Sequence, residues 1–296
     1  MKINFAPTLK DFKYKISYGL AWLPDTLYLS ILYYFAHHRK LHIKNPERFS
    51  EKVQYYKIHY HNPEMIPLTD KYNVREYVAD KIGNVYLNSL YQVVDKAEDI
   101  DFDSLPKKYV IKTTDGGSGA NVFICHDGTK IDRNRIIKLV NGWKGKKYYL
   151  LTREYAYGKN IKSRIIVEEY LSSSTAPEKG INDYKFLCFN GVFKYLWVDT
   201  DRFSEHKRAW YDNKFNLLNV RNGFEQTEIT LPDNISEMAK LAEKLAGDFP
   251  LARIDFYNID GRIIFGEITF YPGSGFEKFI PDTFDYTLGK CFSLDW

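Results

Sequence analysis

The stretch from Tyr109 to Ile124 constrains this chain most. The apolar strand Tyr109-Val110-Ile111 delivers Lys112. The loop Gly116-Gly117-Ser118-Gly119 follows, and then a second apolar run, Val122-Phe123-Ile124. Glycine has no Cβ, so backbone N–H groups can converge on an anion. A lysine beside such a loop adds a point charge suited to phosphate. The stretch reads as a nucleotide-phosphate grip or as a plain hairpin turn, because Asp-Gly and Gly-Gly are ordinary turn dipeptides. The order of parts removes other options. A P-loop places its lysine after the glycines and follows it with Ser or Thr. A dinucleotide fingerprint sits between a strand and a helix, whereas Val122-Phe123-Ile124 and Asp127-Gly128 suggest strand–loop–strand. A protein kinase needs a downstream His-Arg-Asp loop, and the sequence has none.

The 296 residues suffice for one large domain or two intimate ones, and 44% hydrophobic content supports a sizeable core. Aromatic content is high, with 24 Tyr and 20 Phe, which suits sheets and sugar-facing surfaces, with core packing as the ordinary explanation. The net charge of +4 is unevenly placed: residues 1–62 carry +6 and the remainder is slightly acidic. A basic, aromatic N-terminal region suits an anionic partner such as a phospholipid surface, a lipid-phosphate carrier or an acidic glycan; a solvated helix face is the plainer alternative. Nucleic acid is not expected, since no compact Lys/Arg run or RNA-binding signature is present. Cys125, Cys188 and Cys291 lack CxxC spacing, which argues for a reducing compartment and against a disulfide scaffold or zinc site.

No signal peptide is expected, because Pro24-Asp25 cuts short the run from Tyr18 to Trp22. Thr26 to Ala36 is apolar and aromatic but too short to span a bilayer. It reads as a core-packed helix, with an interfacial position as the alternative. Helices are expected over 9–22, 26–38 (with Asp25 as N-cap), 51–59 (with Ser50 as N-cap), 67–81, 132–143 and 234–246. Gly83 is expected to end the fourth. Strands are expected over 86–94, 109–113, 122–124 and 164–171, and as two hairpins around Asn190-Gly191 and Asp260-Gly261. Residues 201–228 read as mixed strand and loop. The sum is α+β rather than a regular βαβ array.

Arg253-Ile254-Asp255 and Glu267-Ile268-Thr269 fall on the two strands of the last hairpin. Alternation puts Arg253 and Asp255 on one face and Glu267 and Thr269 on one face, so the pairs can meet. Two converging carboxylates suit Mg²⁺, which takes hard oxygen ligands; a cross-strand ion pair around Arg253 is the plain alternative.

Taken together, the lysine strand, glycine loop, acidic strand end at Glu168-Glu169-Tyr170-Leu171 and carboxylate hairpin resemble the ATP-grasp superfamily. The resemblance is closest to its TupA-like group of teichuronopeptide and polysaccharide biosynthesis. It extends from about Asn45 to Gly275 and includes Thr69-Asp70-Lys71-Tyr72, Asp183-Tyr184-Lys185-Phe186 and Gly266-Glu267-Ile268-Thr269-Phe270-Tyr271-Pro272-Gly273. It implies an ATP-grasp fold, with ATP between two α+β lobes. The expected regions are a helical N-terminal region over 1–65, a first lobe over 66–171 and a second over 172–296. Lys71 and Lys112 would contact the phosphates, with Gly116, Gly117, Ser118 and Gly119 as the covering loop. Glu168, Glu169, Tyr170 and Leu171 would line the base site, Glu169 through its carbonyl and Leu171 through its N–H. Lys185 would approach the γ-phosphate. Asp255 and Glu267 would hold Mg²⁺, with Thr269 where the superfamily usually has Asn. Arg253 would stabilise the transferring phosphoryl group, and the Gly273 N–H a developing oxyanion. Basic, aromatic, helical residues stand where the usual N-terminal Rossmann-like domain would be.

The implied activity is a carboxylate–amine ligase that joins an amino acid to a uronic-acid-containing capsular or cell-wall glycan or its lipid-linked precursor. A sugar phosphotransferase is the second reading. A glycosyltransferase is a third, for which Asp199-Thr200-Asp201 supplies an Asp-x-Asp string. A non-catalytic ATP-binding module is the fourth. A cytoplasmic protein is expected, with peripheral membrane contact through the N-terminal region as the alternative.

Overall fold

A computed structural model of the chain describes residues 16–116, 121–143, 149–158, 162–173, 180–201 and 205–296. The architecture is α+β, built on two largely antiparallel sheets. In the order met along the chain, the first elements are helices α1 (Asp25–His37), α2 (Phe49–His59), α3 (Met65–Thr69) and α4 (Val74–Lys81). A small sheet follows, from β1 (Leu90–Val94), β2 (Tyr109–Thr113), β3 (Val122–Cys125) and β4 (Ile165–Glu169), with α5 (Arg133–Asn141) between β3 and β4. The large sheet uses β5 (Asp183–Phe189), β6 (Val192–Thr200), β7 (Lys207–Asp212), β8 (Leu217–Leu218) and β9 (Glu225–Gln226). After helix α6 (Ile235–Ala246) it is completed by β10 (Leu251–Ile259) and β11 (Arg262–Thr269), and α7 (Thr283–Cys291) closes the described chain. The small sheet runs β1-β4-β2-β3 and the large one β11-β10-β5-β6-β7-β8, with β9 parallel to β7.

Turn chemistry sets the register beside the two tight hairpins of the large sheet, and a shift at Leu187/Cys188 in one and at Asp255/Phe256 in the other moves it by one residue farther along. Asn190 and Gly191 take φ of 47° and 74°, and Asp260 and Gly261 take 52° and 87°. These left-handed pairs match the twist of the strands they join. Strand β5 is buried at every position because it lies inside the sheet. Helix α6 covers it with Met238, Leu241, Ala242 and Leu245, the stripe legible in the sequence.

Each sheet has its own core. Ala97, Ile100, Tyr109, Ile111, Cys125, Ile136, Val140, Ile165 and Val167 fill the space between the small sheet and α5. The larger core is built on β5, β6, β7, β10 and β11, and it also takes in Phe49, Val53 and Tyr56 of α2. Phe49 lies edge-on to Phe189 at 6.0 Å, and Tyr56 packs at 5.6 Å from Tyr271. Burial of Phe49 and Val53 contributes about 1.5–3 kcal/mol each. Leu68, Val74 and Val78, which the sequence division groups with the first lobe, pack into this same larger core.

Several local expectations need correction. Helix α1 begins with Asp25 in its first turn and Pro24 at the N-cap position. Of the helix expected over 9–22, residues 16–19 are helical, and 9–15 lie outside the described residues. Ser50 does not cap α2. Its hydroxyl donates to Asp285 Oδ2 at 2.6 Å, and the α2 start is satisfied instead by Glu51, which accepts from the N–H groups of His42, Glu47 and Arg48. The helix expected over 67–81 is two helices. Asp70 Oδ1 accepts from the N–H groups of Tyr72 and Asn73, so a side chain replaces the helical ladder there. The first part of the strand expected over 86–94 is a tight helical turn, Asn84–Tyr86, and extended pairing begins at Leu90. Helix α7 was not anticipated.

Candidate active site

The large sheet concentrates charge on one face. Asp255 pairs in register with Glu267 across the β10–β11 hairpin and with Lys185 on β5, while Arg253 lies opposite Thr269. Directly opposed residues share a face, so four strands deliver Glu267, Asp255, Lys185 and Trp197 side by side. Arg253 holds Asp255 through two bonds of 2.7 Å, and its Nη2 is also 2.7 Å from Glu267 Oε1. Lys185 donates to Asp255 Oδ2 at 2.7 Å and to Asp183. Thr269 Oγ1 donates to Glu267 Oε1 at 3.2 Å.

Burial and charge pull on these groups in opposite directions. Burial opposes the Lys185 ammonium, but Asp183 and Asp255 outweigh it and raise its pKa. Burial would likewise raise Glu267, but Arg253, Lys71 and Lys185 hold it down at about 2. For Asp255 burial prevails, aided by Asp183 and Glu267, and its carboxyl is pushed up to about 6 against Arg253 and Lys185.

A second group sits on the small sheet. Lys112 of β2 donates to Glu168 Oε2 at 2.8 Å, and Arg75 Nη1 lies 3.6 Å from the other oxygen. Lys71 connects the two groups. Its backbone N–H donates to Thr114 O and its ammonium to the carbonyl of Gly116. Burial lowers its pKa, and its field partners are Glu267 of the large sheet and Lys112 and Glu168 of the small one. Lys71 thus lies within the field of both groups. Gly117, Ser118 and Gly119 lie outside the described residues.

At the end of β4, the Glu169 carbonyl accepts from Asn88 Nδ2 at 3.0 Å, and its N–H donates to Ser89 O. The carbonyl expected to meet an adenine amino group thus already holds one bond, with a second lone pair remaining. Tyr170 packs edge-on to His126, and Leu171 is half-buried just past the strand.

Gly273 lies in the loop 271–276, just past the end of β11. That loop rests on α2 so closely that a Cβ on Gly275 would lie 2.4 Å from Gln54 Nε2 and 3.0 Å from Ser50 O. Lys57, buried at the far end of α2, donates to Ser274 O, Ser274 Oγ and Gln54 Oε1. Ser274 Oγ donates in turn to Glu154. Burial lowers the Lys57 pKa to about 8, against Glu154, and burial raises Glu154. Tyr157 ties this assembly to the cluster: burial pushes its hydroxyl up strongly, with Glu267 and Glu154 both in its field. Sequence reasoning missed Lys57, Glu154, Tyr157 and Ser274. No local pattern marks them, because their partners are distant in the chain.

The carboxylate pair suits a hard cation in its donor chemistry, since Asp255 and Glu267 already converge on one nitrogen of Arg253. Among the described residues no group of three or more His, Cys, Asp or Glu side chains is arranged to hold a metal.

A family model described as TupA-like ATPgrasp matches residues 51–293. The chain belongs to the TupA-like ATP-grasp family. The model begins within α2 and ends just after α7, so the family's extent includes the α2 contact with the 271–276 loop. No curated protein matches the chain. Among solved structures, this ATP-grasp protein is similar to D-alanine–D-alanine ligase from Bacillus anthracis, at 18% identity and a TM-score of 0.40, covering 69% of this chain and 57% of that one. It is also similar to N5-carboxyaminoimidazole synthetase from Staphylococcus aureus complexed with ADP, at 14% identity, a TM-score of 0.42 and coverage of 68% and 44%. D-alanine–D-alanine ligase from Helicobacter pylori matches at 17% identity and a TM-score of 0.43, over 76% and 62%. The chain thus spans less than two thirds of each of these proteins, and likenesses this remote say nothing about what it binds.

Proposed function

We propose that this protein is an ATP-dependent carboxylate–amine ligase acting on a carboxylate-bearing glycan or its lipid-linked precursor, with an amino acid as amine. The observation that carries this reading is the Arg253 guanidinium fixed between Asp255 and Glu267, with Lys185 on Asp255 and Lys71 in the field of Glu267. Phosphoryl transfer to a carboxylate needs charge neutralisation and positioning more than covalent help, and this set supplies both.

In this reading ATP lies between two lobes divided near residue 172, with residues 1–65 as a helical addition. Lys71 and Lys112 hold the phosphates, the loop Gly116 to Gly119 covers them, and Glu168 to Leu171 border the base. Asp255 and Glu267, with Thr269 beside them, would hold Mg²⁺, which when bound neutralises phosphate charge. Lys185 and Arg253 steady the γ-phosphoryl group as an acceptor carboxylate oxygen bonds to its phosphorus and the bond to ADP breaks. The amine nitrogen then bonds to the acyl carbon, phosphate leaves, and the nitrogen gives up a proton to form the amide. The Gly273 N–H steadies the oxyanion formed on the way.

The test is magnesium-dependent ADP release with acidic-glycan oligomers and mixed amino acids, wild type beside Asp255→Ala and Lys112→Ala. Release that needs both glycan and amino acid, and vanishes in both variants, supports the ligase. Release with glycan alone and a stable phosphorylated glycan gives the phosphotransferase instead. Absence of ATP binding overturns both.

A further inference from the structure

We infer that the outer face of α1 is a membrane-docking surface, seated in the interface of an anionic phospholipid leaflet. Past its first turn, helix α1 is largely apolar on both its inner and its outer face. Tyr28, Leu29, Tyr33 and His37 are buried against the protein, while Leu27, Ile31, Tyr34 and Phe35 point outward. A helix apolar on both faces calls for cover on both. Phe35 is 71% exposed, Tyr34 57%, and Trp22, just before the helix, 77%. Of the fourteen large hydrophobic residues exposed among the described residues, seven fall between Ile16 and Phe35. Such a concentration marks an interaction surface rather than scattered surface carbon.

Three observations select a lipid leaflet. The outward residues include aromatics, whose amphipathic rings favour the headgroup level. Exposed His38, Lys40 and Lys44 follow directly, within a segment (residues 1–62) whose net charge is +6 in a chain of +4. Lys40 also borders an open apolar cleft of about 360 Å³ lined by Ser30, Ile31, Tyr34, Phe35 and Leu41. A second copy of the chain is a poorer cover: a twofold contact on this face would bring each copy's cations against their equivalents. With 13 residues, α1 is about 20 Å long, short of a bilayer's hydrocarbon core, so it lies in the interface rather than spanning. No helix among the described residues is long and apolar enough to cross a membrane.

The buried side of α1 gives the surface its use. His37 Nε2 lies 3.2 Å from the carbonyl of Gly275, in the loop that carries Gly273. Docking through α1 therefore brings that loop to the leaflet, where a lipid-linked acceptor would present its carboxylate; this last clause rests on the ligase reading, and the docking surface does not.

The test is flotation of the full chain with phosphatidylcholine vesicles, with and without phosphatidylglycerol. The variants are Tyr34→Ser/Phe35→Ser, Lys40→Glu/Lys44→Glu and, as a control at another exposed apolar position, Val85→Ser. Wild type and Val85→Ser are expected to float with the anionic vesicles, less so at high salt. Both double variants are expected to lose at least about tenfold in partitioning, with unchanged far-UV spectra. Failure of wild type to float, or equal flotation of all variants, overturns the inference. So does a wild-type dimer in solution that Tyr34→Ser/Phe35→Ser converts to monomer. ATP binding is measured on the same preparations: wild type that floats without binding ATP removes the ligase reading and keeps the docking surface, and the converse result does the reverse.

Discussion

Lys57 donates to both oxygens of Ser274, at 2.7 Å to the carbonyl and 2.8 Å to the hydroxyl, and so fastens α2 to the loop that carries Gly273. Replacing it with methionine removes a fully buried cation from a polar cluster and leaves Glu154 and Ser274, both partly buried, short of a partner. Lys57→Met is expected to cost about 3 kcal/mol or more, read from the midpoint of urea unfolding. Lys57→Met/Glu154→Leu is expected to recover part of that loss, because it takes the stranded carboxyl away as well.

Arg253 meets two carboxylates through a planar fork. An ammonium keeps the charge and loses the fork. Arg253→Lys is therefore expected to lower kcat by about 100-fold or more in the ADP-release assay, in line with loss of a charge-stabilising donor, with a smaller change in the dissociation constant of ATP.

Glu267 gives a pH signature. Its carboxyl is held at about 2 in the folded chain against an ordinary 4.5. The unfolded chain therefore binds more protons between those values, and stability falls as pH falls through them. The stability advantage of wild type over Glu267→Gln is expected to be complete above about pH 4.5 and to fade towards pH 2. Thermal unfolding of the two proteins across that range checks it; a gap that does not close on acidification contradicts the assignment.

Glu51 accepts from the backbone N–H groups of Glu47 and Arg48 at the start of α2 and from that of His42 in the preceding segment. Glu51→Ala strands them in a place where water has little access, since Glu51 is itself buried. A loss of about 2 kcal/mol is expected from denaturant unfolding, larger than that for an ordinary exposed cap.

Legibility in the sequence followed the range of the interactions. Asn190-Gly191 and Asp260-Gly261 announced their hairpins because those residue types accept positive φ. That Arg253, Asp255, Glu267 and Thr269 fall on adjacent strands was readable for the same reason, but their meeting on one face depends on a bulge between Asp255 and Phe256 that shifts the register by one residue and that no turn signal announces. The break at Asp70 was missed because helical spacing of Val74, Tyr77 and Val78 says nothing about a side chain that outcompetes the ladder four residues earlier. Lys57 and Ser274 are 217 residues apart, and Glu154 and Ser274 are 120 apart. Only the completed fold brings such groups together, so nothing in either neighbourhood of the sequence foretold them. Trp197 was not anticipated beside Lys185: the β5–β6 register shifts at Leu187/Cys188, and only that shift sets the two residues opposite each other.

The seam between α2 and the 271–276 loop also sets the unit of exchange for anyone recombining relatives of this chain. The N-terminal helices look like a portable attachment, to be traded in order to alter what is recognised. A graft of residues 1–60 alone would bring a foreign surface against Ser274 and Gly275, where the spacing leaves no tolerance for an added methyl group. Working hybrids should therefore be those in which both sides of the seam come from one parent, however far apart the two segments stand in the gene.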